Sequence, residues 1–262
     1  MKIPYTKAHG AKNDFLLTWS AEAPKQELPE MARAICDRHT GVGADGWILI
    51  EPGGGDHDAA IRLFNSDGSE AEISGNGTRC AAALLAKHGM ADQTVRIRTG
   101  AGIKTMRLLD RSGLRFSFEM NMGRPEISRE TLAGRDVTIL CVGNPQCALP
   151  VQDFDFDWRA VGAEIERHQQ FPRRINVSFF KKVDDHSIEV RFWERGAGET
   201  MSSGTGATGA AAAAMARGMV KSPVRVLTPA GPLEVYTHDL STDVYLVGPA
   251  EIIAEGLFFL RE

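Results

Sequence analysis

The stretch Phe64-Asn-Ser-Asp-Gly-Ser-Glu-Ala-Glu-Ile-Ser-Gly-Asn-Gly-Thr-Arg-Cys80 decides how this chain is organised, because it occurs twice. Shifted by 129 positions, it aligns without a gap with Trp193-Glu-Arg-Gly-Ala-Gly-Glu-Thr-Met-Ser-Ser-Gly-Thr-Gly-Ala-Thr-Gly209. The same register continues on both sides, from 61–102 to 190–231. A period this long excludes a solenoid of short repeats, and it predicts two copies of one supersecondary unit, as in a duplicated domain.

Composition excludes several classes of function. The chain of 262 residues has a net charge of −4 and no run of Lys and Arg, so a nucleic-acid partner is not expected. No apolar run reaches membrane-spanning length, and the first residues lack the apolar core of a signal peptide. Neither the seven histidines nor the four cysteines have the spacing of a metal site or a disulfide framework. These features predict a soluble, cytoplasmic protein without a bound metal.

Two helices are predicted directly after the repeated motifs, over 76–88 and 205–217. Both are apolar on nearly every face, which is typical of buried helices, and each is followed by strand-like segments. We therefore expect an α/β (α+β) fold of two pseudo-symmetric domains, each a curved, mostly antiparallel sheet or barrel around a central buried helix. The predicted boundary gives domains 1–122 and 123–262, with a last strand that can cross back to the first domain. The active site is expected in the cleft between the domains.

Two further helices are predicted away from the repeated motifs. The spacing of apolar residues predicts one over 27–39, with Pro29 in its first turn and Gly41 beyond its end. An amphipathic pattern predicts another over 157–169, before Pro172. The second of these is expected to be peripheral.

Each copy of the motif places a Ser-Gly-x-Gly turn immediately before a buried helix. The free amides of a helix's first turn, together with its dipole, favour binding of a carboxylate or phosphate. The alternative for a single loop is that Ser74 or Ser203 only caps its helix. Two copies at matching positions favour the first interpretation, since a pair related by two-fold symmetry can converge on one site.

The segment Gly204-Thr-Gly-Ala-Thr-Gly209 also fits the G-x-G-x-x-G pattern of dinucleotide-binding proteins. That pattern requires a strand leading directly into the glycines and an acidic residue about twenty positions downstream. Here a polar loop precedes the glycines, and the nearest downstream acid is Glu234. A dinucleotide-binding fold is therefore rejected.

Several long motifs, in order along the chain, resemble the diaminopimelate epimerase family of cofactor-independent amino-acid racemases and epimerases. The motifs are Gly10-Ala-Lys-Asn-Asp-Phe15, Asp37-Arg-His-Thr-Gly-Val-Gly-Ala-Asp-Gly46, the stretch 64–80, Gly143-Asn-Pro145, Arg174-Ile-Asn-Val177, Glu194-Arg-Gly-Ala-Gly-Glu-Thr200 and Thr228-Pro-Ala-Gly231. The resemblance implies a small amino-acid substrate, neither pyridoxal phosphate nor a metal as cofactor, and a homodimer.

The resemblance also assigns catalytic positions, and here the chain departs from the family. Members of the family use two cysteines on opposite faces of the substrate's α-carbon, one as base and one as acid; those positions are Ser74 and Ser203. A histidine that pairs with one cysteine falls on Gln146, whereas the glutamate that orients the other is present as Glu194. A serine hydroxyl is a much weaker acid than a thiol and needs a neighbouring base. Two-base epimerisation is therefore expected to be slow or lost.

The substrate-binding positions of the family are retained. The resemblance assigns binding of diaminopimelate to side chains at Asn13, Asn65, Asn144, Asn176, Glu194 and Arg195. It assigns the α-carboxylate to the backbone amides of Gly75, Asn76, Gly204 and Thr205, which would also stabilise a carbanion-like transition state. Each asparagine alone is also a common turn residue, so the family motifs carry this assignment.

Three hypotheses of function follow from this pattern. The first is a diaminopimelate epimerase whose cysteines have been exchanged for serine, although the loss of the histidine at Gln146 argues against deliberate trapping. The second is a natural relative with one-base isomerase, tautomerase or dehydratase chemistry carried by Glu194 and Ser203. The third is a protein that binds an amino acid without catalysis. Cys80 and Cys147 are near the catalytic loops in sequence, but both are interpreted as buried thiols, and rescue of catalysis by Cys147 from beside Gln146 is not expected.

Overall fold

The computed structural model describes residues 2–260, which fall into two compact units. The first contains the residues up to 120 and those from 248 onward, and the second contains 121–247. The boundaries lie inside two strands that run on from one unit into the other. Each unit is a sheet that surrounds one buried helix.

The first part of the chain builds most of the first unit. Its elements are β1 (Lys2–Gly10), β2 (Asn13–Trp19), a 3-10 turn (Ser20–Glu22), α1 (Leu28–Cys36), β3 (Gly46–Pro52), β4 (Ala59–Asn65), β5 (Glu70–Ala71), α2 (Gly75–Lys87), β6 (Thr94–Thr99), β7 (Gly102–Ser112) and β8 (Arg115–Gly123).

The remaining elements build the second unit and then return to the first. They are β9 (Glu126–Leu132), β10 (Arg135–Cys141), β11 (Pro145–Pro150), α3 (Trp158–Glu166), β12 (Asn176–Asp184), β13 (Ser187–Glu194), β14 (Gly198–Thr200), α4 (Gly204–Ala216), β15 (Val224–Thr228), β16 (Gly231–Tyr236) and β17 (Val244–Phe259).

The strands of the first unit close into a barrel. Pairing runs from β8 through β7, β6, β4, β3, β2 and β1 to β17, which pairs back with β8. Closure pairs each of these eight strands with two neighbours, so the barrel has no open edge. The hairpin between β1 and β2 turns at Ala11 and Lys12, which have φ of 50° and 60°, a left-handed turn that suits the twist of paired strands.

Helix α2 lies inside this barrel and contacts β1, β2, β3, β4 and β6. Its residues from Gly75 to Ala86 are all buried. Gly77 permits close packing, because a Cβ at this position would lie 3.0 Å from Cδ1 of Ile48. The apolar surface on nearly every face of α2 is thus explained by strands on several sides.

The second unit repeats the order of these pairings. In the first unit β2 and β3 are parallel, β3 and β4 antiparallel, and β4 and β6 parallel. In the second, β11 and β12 are parallel, β12 and β13 antiparallel, and β13 and β15 parallel. Helix α4 contacts β10, β11, β12, β13, β15 and β16, so it occupies the same place as α2.

The expected fold class is confirmed: two domains of mixed α and β structure, each with mostly antiparallel strands around a buried helix. The two central helices begin and end within one residue of the predicted bounds. The helix predicted over 157–169 is shorter, because α3 ends at Glu166 and the residues after it form a turn closed by the amide of His168 on the carbonyl of Ile165. The helix predicted over 27–39 ends at Cys36 for a similar reason, since the Asp37 carboxylate accepts the amides of His39 and Thr40 in a turn.

Candidate active site

Ser74 occupies the N-cap of α2. Its Oγ accepts a hydrogen bond from the amide of Gly77 at 3.2 Å, and its carbonyl accepts the amide of Thr78 at 2.8 Å. The cap therefore uses the third amide of the helix and leaves those of Gly75 and Asn76 without an intrahelical acceptor. Two N–H donors and the positive end of the helix dipole remain beside the serine.

Ser203 has the same position on α4, with one additional partner. Its Oγ accepts from the amide of Gly206 at 3.1 Å, and its hydroxyl lies close enough to the carboxylate of Glu194 to lower the pKa of that group. The amides of Gly204 and Thr205 are left without an intrahelical acceptor. The Ser203 hydroxyl thus lies between the helix end and a carboxylate.

Glu194 ends strand β13 and faces a second hydroxyl, that of Thr200, which donates to Oε1 at 2.6 Å. Although the residue keeps some solvent exposure, protein atoms surround its carboxylate. Burial raises the pKa of Glu194 above the ordinary value of 4.5, and the nearby hydroxyls of Thr200 and Ser203 offset part of that rise. A carboxylate with a raised pKa is a better proton acceptor than an ordinary glutamate.

Gln146 is completely buried on strand β11, against the first turns of α4. Its Nε2 donates to Oδ1 of Asn144 at 2.6 Å and to Oγ1 of Thr205 at 3.1 Å. An amide has no proton-accepting role at neutral pH. The structure thus gathers Asn144, Gln146 and Thr205 into one polar cluster that contains no base.

In the first unit, predicted binding residues lie at neighbouring strand ends. Asn13 begins β2, and Asn65 ends β4; both flank the start of β3. Asn13 accepts from Nδ2 of Asn76 at 3.2 Å, so these two asparagines are in contact. Asn65 is exposed and donates to Oγ of Ser69 at 2.9 Å, within its own turn.

The same arrangement occurs in the second unit. Asn144 precedes β11, Asn176 begins β12 and Glu194 ends β13, all at one end of adjacent strands. Oδ1 of Asn176 accepts the backbone amide of Arg195 at 2.9 Å, and its Nδ2 donates to the carbonyl of Pro145. Asn176 therefore fixes the backbone on both sides of the strand end.

Glu166 is a supporting residue that the sequence did not reveal. Its side chain, 3% exposed, lies at the end of α3 and accepts from Nε1 of Trp193 and from the amide of Gly196, both at 3.0 Å. Burial alone would raise the pKa of Glu166, but these hydrogen bonds and Arg174 hold it below the usual value. Glu166 thus holds Trp193 and Gly196, which lie on either side of Glu194 along the chain, by hydrogen bonds. In the sequence it is an ordinary acid near a helix end.

The buried cysteines are not substitutes for the missing thiolates. Burial raises the pKa of Cys80 to about 12 and that of Cys147 to about 12. A thiol reacts as its thiolate, so both are inert near neutral pH. The rescue considered from the sequence is therefore contradicted by the environment of both residues.

Among residues 2–260 no three His, Cys, Asp or Glu side chains are grouped so that they could hold a metal ion. Within that range no helix is both long and apolar enough to cross a membrane.

Solved structures with this fold include a phenazine biosynthesis protein and a hydroxyproline epimerase. A phenazine biosynthesis protein of the PhzF family from Bacillus anthracis matches 99% of this chain and 100% of its own, with a TM-score of 0.77 and 15% identity. A hydroxyproline epimerase from Agrobacterium vitis matches 100% of this chain and 93% of its own, with a TM-score of 0.71 and 15% identity. At this identity the likeness defines the fold alone.

Sequence comparison is more specific. The profile of the diaminopimelate epimerase family matches residues 5–128 and 138–253. The diaminopimelate epimerase of Pelotomaculum thermopropionicum is 38% identical over 98% of this chain and 99% of its own. That of Halothermothrix orenii is 34% identical over the full length of both. The chain belongs to the diaminopimelate epimerase family.

Proposed function

We propose that this protein is a diaminopimelate epimerase-like isomerase acting at the α-carbon of LL- or meso-diaminopimelate, a precursor of lysine and of the cell wall. Membership of the family over nearly the whole chain supports the substrate class. The observation that carries the chemistry is the buried carboxylate of Glu194, with its raised pKa, beside the Ser203 hydroxyl at the start of α4. Two-base epimerisation is proposed to be impaired, because serine replaces cysteine at both catalytic positions.

The retained pair can move a proton at one face of the α-carbon. Glu194 accepts the proton, directly or through the Ser203 hydroxyl, and returns it to the same carbon. The amides of Gly204 and Thr205 would bind the substrate carboxylate and stabilise the negative charge that develops on it as the C–H bond breaks. Ser203 alone lacks the acidity for this step, so the activity depends on Glu194.

The opposite face would be served by Ser74 of the first unit and Gln146 of the second. The hydroxyl of Ser74 can donate a hydrogen bond, but its Oγ is already an acceptor for the Gly77 amide, and Gln146 offers no base. We propose that the two units form the halves of one site. Inversion is then slow because only one half retains a base.

Binding is proposed to use the remaining family positions. Asn13, Asn65 and Asn76 contribute from the first unit; Asn144, Asn176 and Arg195 contribute from the second. Their amide and guanidinium groups match the two carboxylates and two ammonium groups of diaminopimelate. We further propose a cytoplasmic homodimer without cofactor, as the family likeness implies.

A second candidate function is one-base chemistry on a related amino acid. Two observations favour this chemistry: the pKa of Glu194 is raised, and the second base position holds a buried amide, Gln146. An enzyme that works on one face of its substrate needs only one base. A binding protein without catalysis is the third possibility.

Incubation of the protein with LL-diaminopimelate in D2O, followed by NMR at the α-carbon, separates these functions. Slow incorporation of deuterium with formation of the meso isomer supports the proposal. Incorporation with retained configuration supports the one-base enzyme, and binding without exchange supports the binding protein. The Glu194→Gln variant should lose all exchange, whereas Glu199→Gln, an exposed neighbour paired with Arg159, should keep it.

A further inference from the structure

Arg79 is a buried charge on helix α2 without an acidic partner. Its side chain is 0% exposed, and within residues 2–260 no carboxylate forms an ion pair with it. Nη2 donates to Oδ1 of Asn76, Nε donates to the carbonyl of Pro249 at 3.2 Å, and Nη1 has no partner. Burial lowers the pKa of Arg79 to about 10, so the guanidinium stays charged at neutral pH.

The fold makes room for this guanidinium at one glycine. A Cβ on Gly248 would lie 2.8 Å from Cζ of Arg79 and 3.0 Å from its Nε. A charge buried without a counter-ion destabilises a protein, and apolar residues of similar size often replace such groups without loss. Stability alone therefore does not explain why Arg79 is placed here.

Arg79 begins a directed chain of side-chain hydrogen bonds. Asn76 accepts from Arg79 and donates through Nδ2 to Oδ1 of Asn13 at 3.2 Å. Asn13 in turn donates through its Nδ2 to Oδ2 of Asp45 at 2.7 Å. The carboxylate of Asp45 is itself held by Arg38 at 2.8 Å and by the amide of Asp14 at 3.1 Å.

The two ends of this chain determine its direction. A guanidinium can only donate hydrogen bonds, and a carboxylate can only accept them. An asparagine side chain between them is otherwise free to turn by 180° and exchange its oxygen and nitrogen. With Arg79 at one end and Asp45 at the other, turning either asparagine amide would place two donors or two acceptors opposite each other.

The fixed direction decides what the site presents to a ligand. Each amide nitrogen has two N–H groups and uses one in the chain, so Asn13 and Asn76 each keep one donor. The backbone amide of Asn76, in the first turn of α2, is a further donor. We propose that Arg79 and Asp45 are positioning residues that lock Asn76 and Asn13 as N–H donors for a carboxylate of the substrate. This inference rests on the proposed function.

The competing explanation is purely structural: Arg79 would tie α2 to β17 through the carbonyl of Pro249. In that case substitution of Arg79 should lower stability, whereas Asp45→Asn, which alters the direct partner of Asn13 alone, should leave the side-chain amide of Asn76 and the binding of ligand unchanged. The proposal instead requires that both ends act on the same two amides.

The test uses the full-length variants Arg79→Met and Asp45→Asn, with Asp58→Asn as the matched control. Asp58 also accepts a backbone amide and a guanidinium in the first unit, those of Arg96, but it lies outside the asparagine chain. The first measurement is NMR of the side-chain amide signals of Asn13 and Asn76 in the ligand-free protein. Both signals should shift in Arg79→Met and in Asp45→Asn, and neither should shift in Asp58→Asn.

The second measurement is calorimetric titration with meso-diaminopimelate. Both test variants should weaken binding about tenfold or more, and the control by less than about twofold. The thermal midpoint of Arg79→Met should be unchanged or higher, since a buried charge is removed.

The proposal is overturned if the amide signals of Asn13 and Asn76 do not shift in Asp45→Asn. It is also overturned if the signals shift but binding of meso-diaminopimelate is unchanged. If Arg79→Met does not fold, the same two measurements on Asp45→Asn test the proposal. Shifted signals together with no binding of diaminopimelate by the wild-type protein would refute the proposed function and leave the directed chain standing.

Discussion

At the scale of single residues, the two positions to which the family likeness assigns catalytic bases have opposite chemistry. Glu194 is a carboxylate whose burial raises its pKa and which accepts from the Thr200 hydroxyl. Gln146 is a neutral amide whose nitrogen donates to Asn144 and Thr205. Under the proposed function, a base is therefore retained for only one face of the substrate.

The raised pKa of Glu194 predicts a particular dependence of stability on pH. Because the folded state favours the protonated acid, Glu194 contributes its stabilisation below pH 4.5, and this is lost as pH rises through the higher folded-state value. Glu194→Gln should therefore be as stable as the wild type or more stable at pH 7, with the difference shrinking toward pH 4. Urea unfolding at pH 7 and at pH 4 measures the free energy of unfolding of both proteins. The prediction is contradicted if the stability of Glu194→Gln relative to the wild type is lower at pH 7 than at pH 4.

Sequence reasoning singled out Ser74, Ser203 and Glu194 because their motifs recur or match a family. It did not single out Arg79 or Glu166, because a hydrogen-bond partner that is distant along the chain is not visible in the sequence. Arg79 did leave one signal: it is a charge within a helix predicted to be buried on nearly every face.

At the scale of elements, the serines serve the helices as well as the site. Each Oγ caps the third amide of its helix, Gly77 or Gly206. Replacing Ser74 or Ser203 by Ala should therefore cost about 1 kcal/mol of stability. Urea unfolding of Ser112→Ala, an exposed serine on strand β7, provides the control and should show less than about 0.5 kcal/mol. Equal losses in all three variants would mean that the caps contribute nothing specific.

The glycines of α4 permit close approach of the surrounding strands. A Cβ at Gly206 would lie 2.8 Å from Cδ1 of Phe192, a fully buried ring on β13. Alanine favours a helix over glycine by up to about 1 kcal/mol, but overpacking costs about 1–3 kcal/mol. Gly206→Ala should thus destabilise the protein.

The matched control for Gly206→Ala is Gly54→Ala, where nothing lies within 4 Å of the added Cβ. That variant should be neutral or slightly stabilising in the same thermal unfolding experiment. A rise in the thermal midpoint for Gly206→Ala would show that Phe192 moves aside without strain.

Elements were predicted well wherever hydrophobic pattern and tight turns coincide, as in α2 and α4. Strand β9 was not predicted, since 126–132 is largely polar and exposed and gives no alternating apolar signal. Its formation depends on pairing with β10, which a local sequence pattern does not reveal.

At the scale of the whole molecule, inversion of the α-carbon requires a proton-removing group and a proton-donating group on opposite faces. Under the proposed function these come from both units, Ser74 from the first and Ser203 from the second. Family membership made this assignment possible from the sequence.

Restoring the family's three groups should restore inversion only when all are present. The triple variant Ser74→Cys, Ser203→Cys, Gln146→His supplies a thiol on each face and a base for the first, so LL-diaminopimelate in D2O should yield deuterated meso isomer at least about a hundredfold faster than with the wild-type protein. Ser203→Cys alone should speed exchange without matching that inversion, because its acid–base pair is confined to one face. Adding Glu194→Gln to the triple variant should remove most of the gain. If Ser203→Cys inverts as fast as the triple variant, the proposed division of the site between two units is wrong.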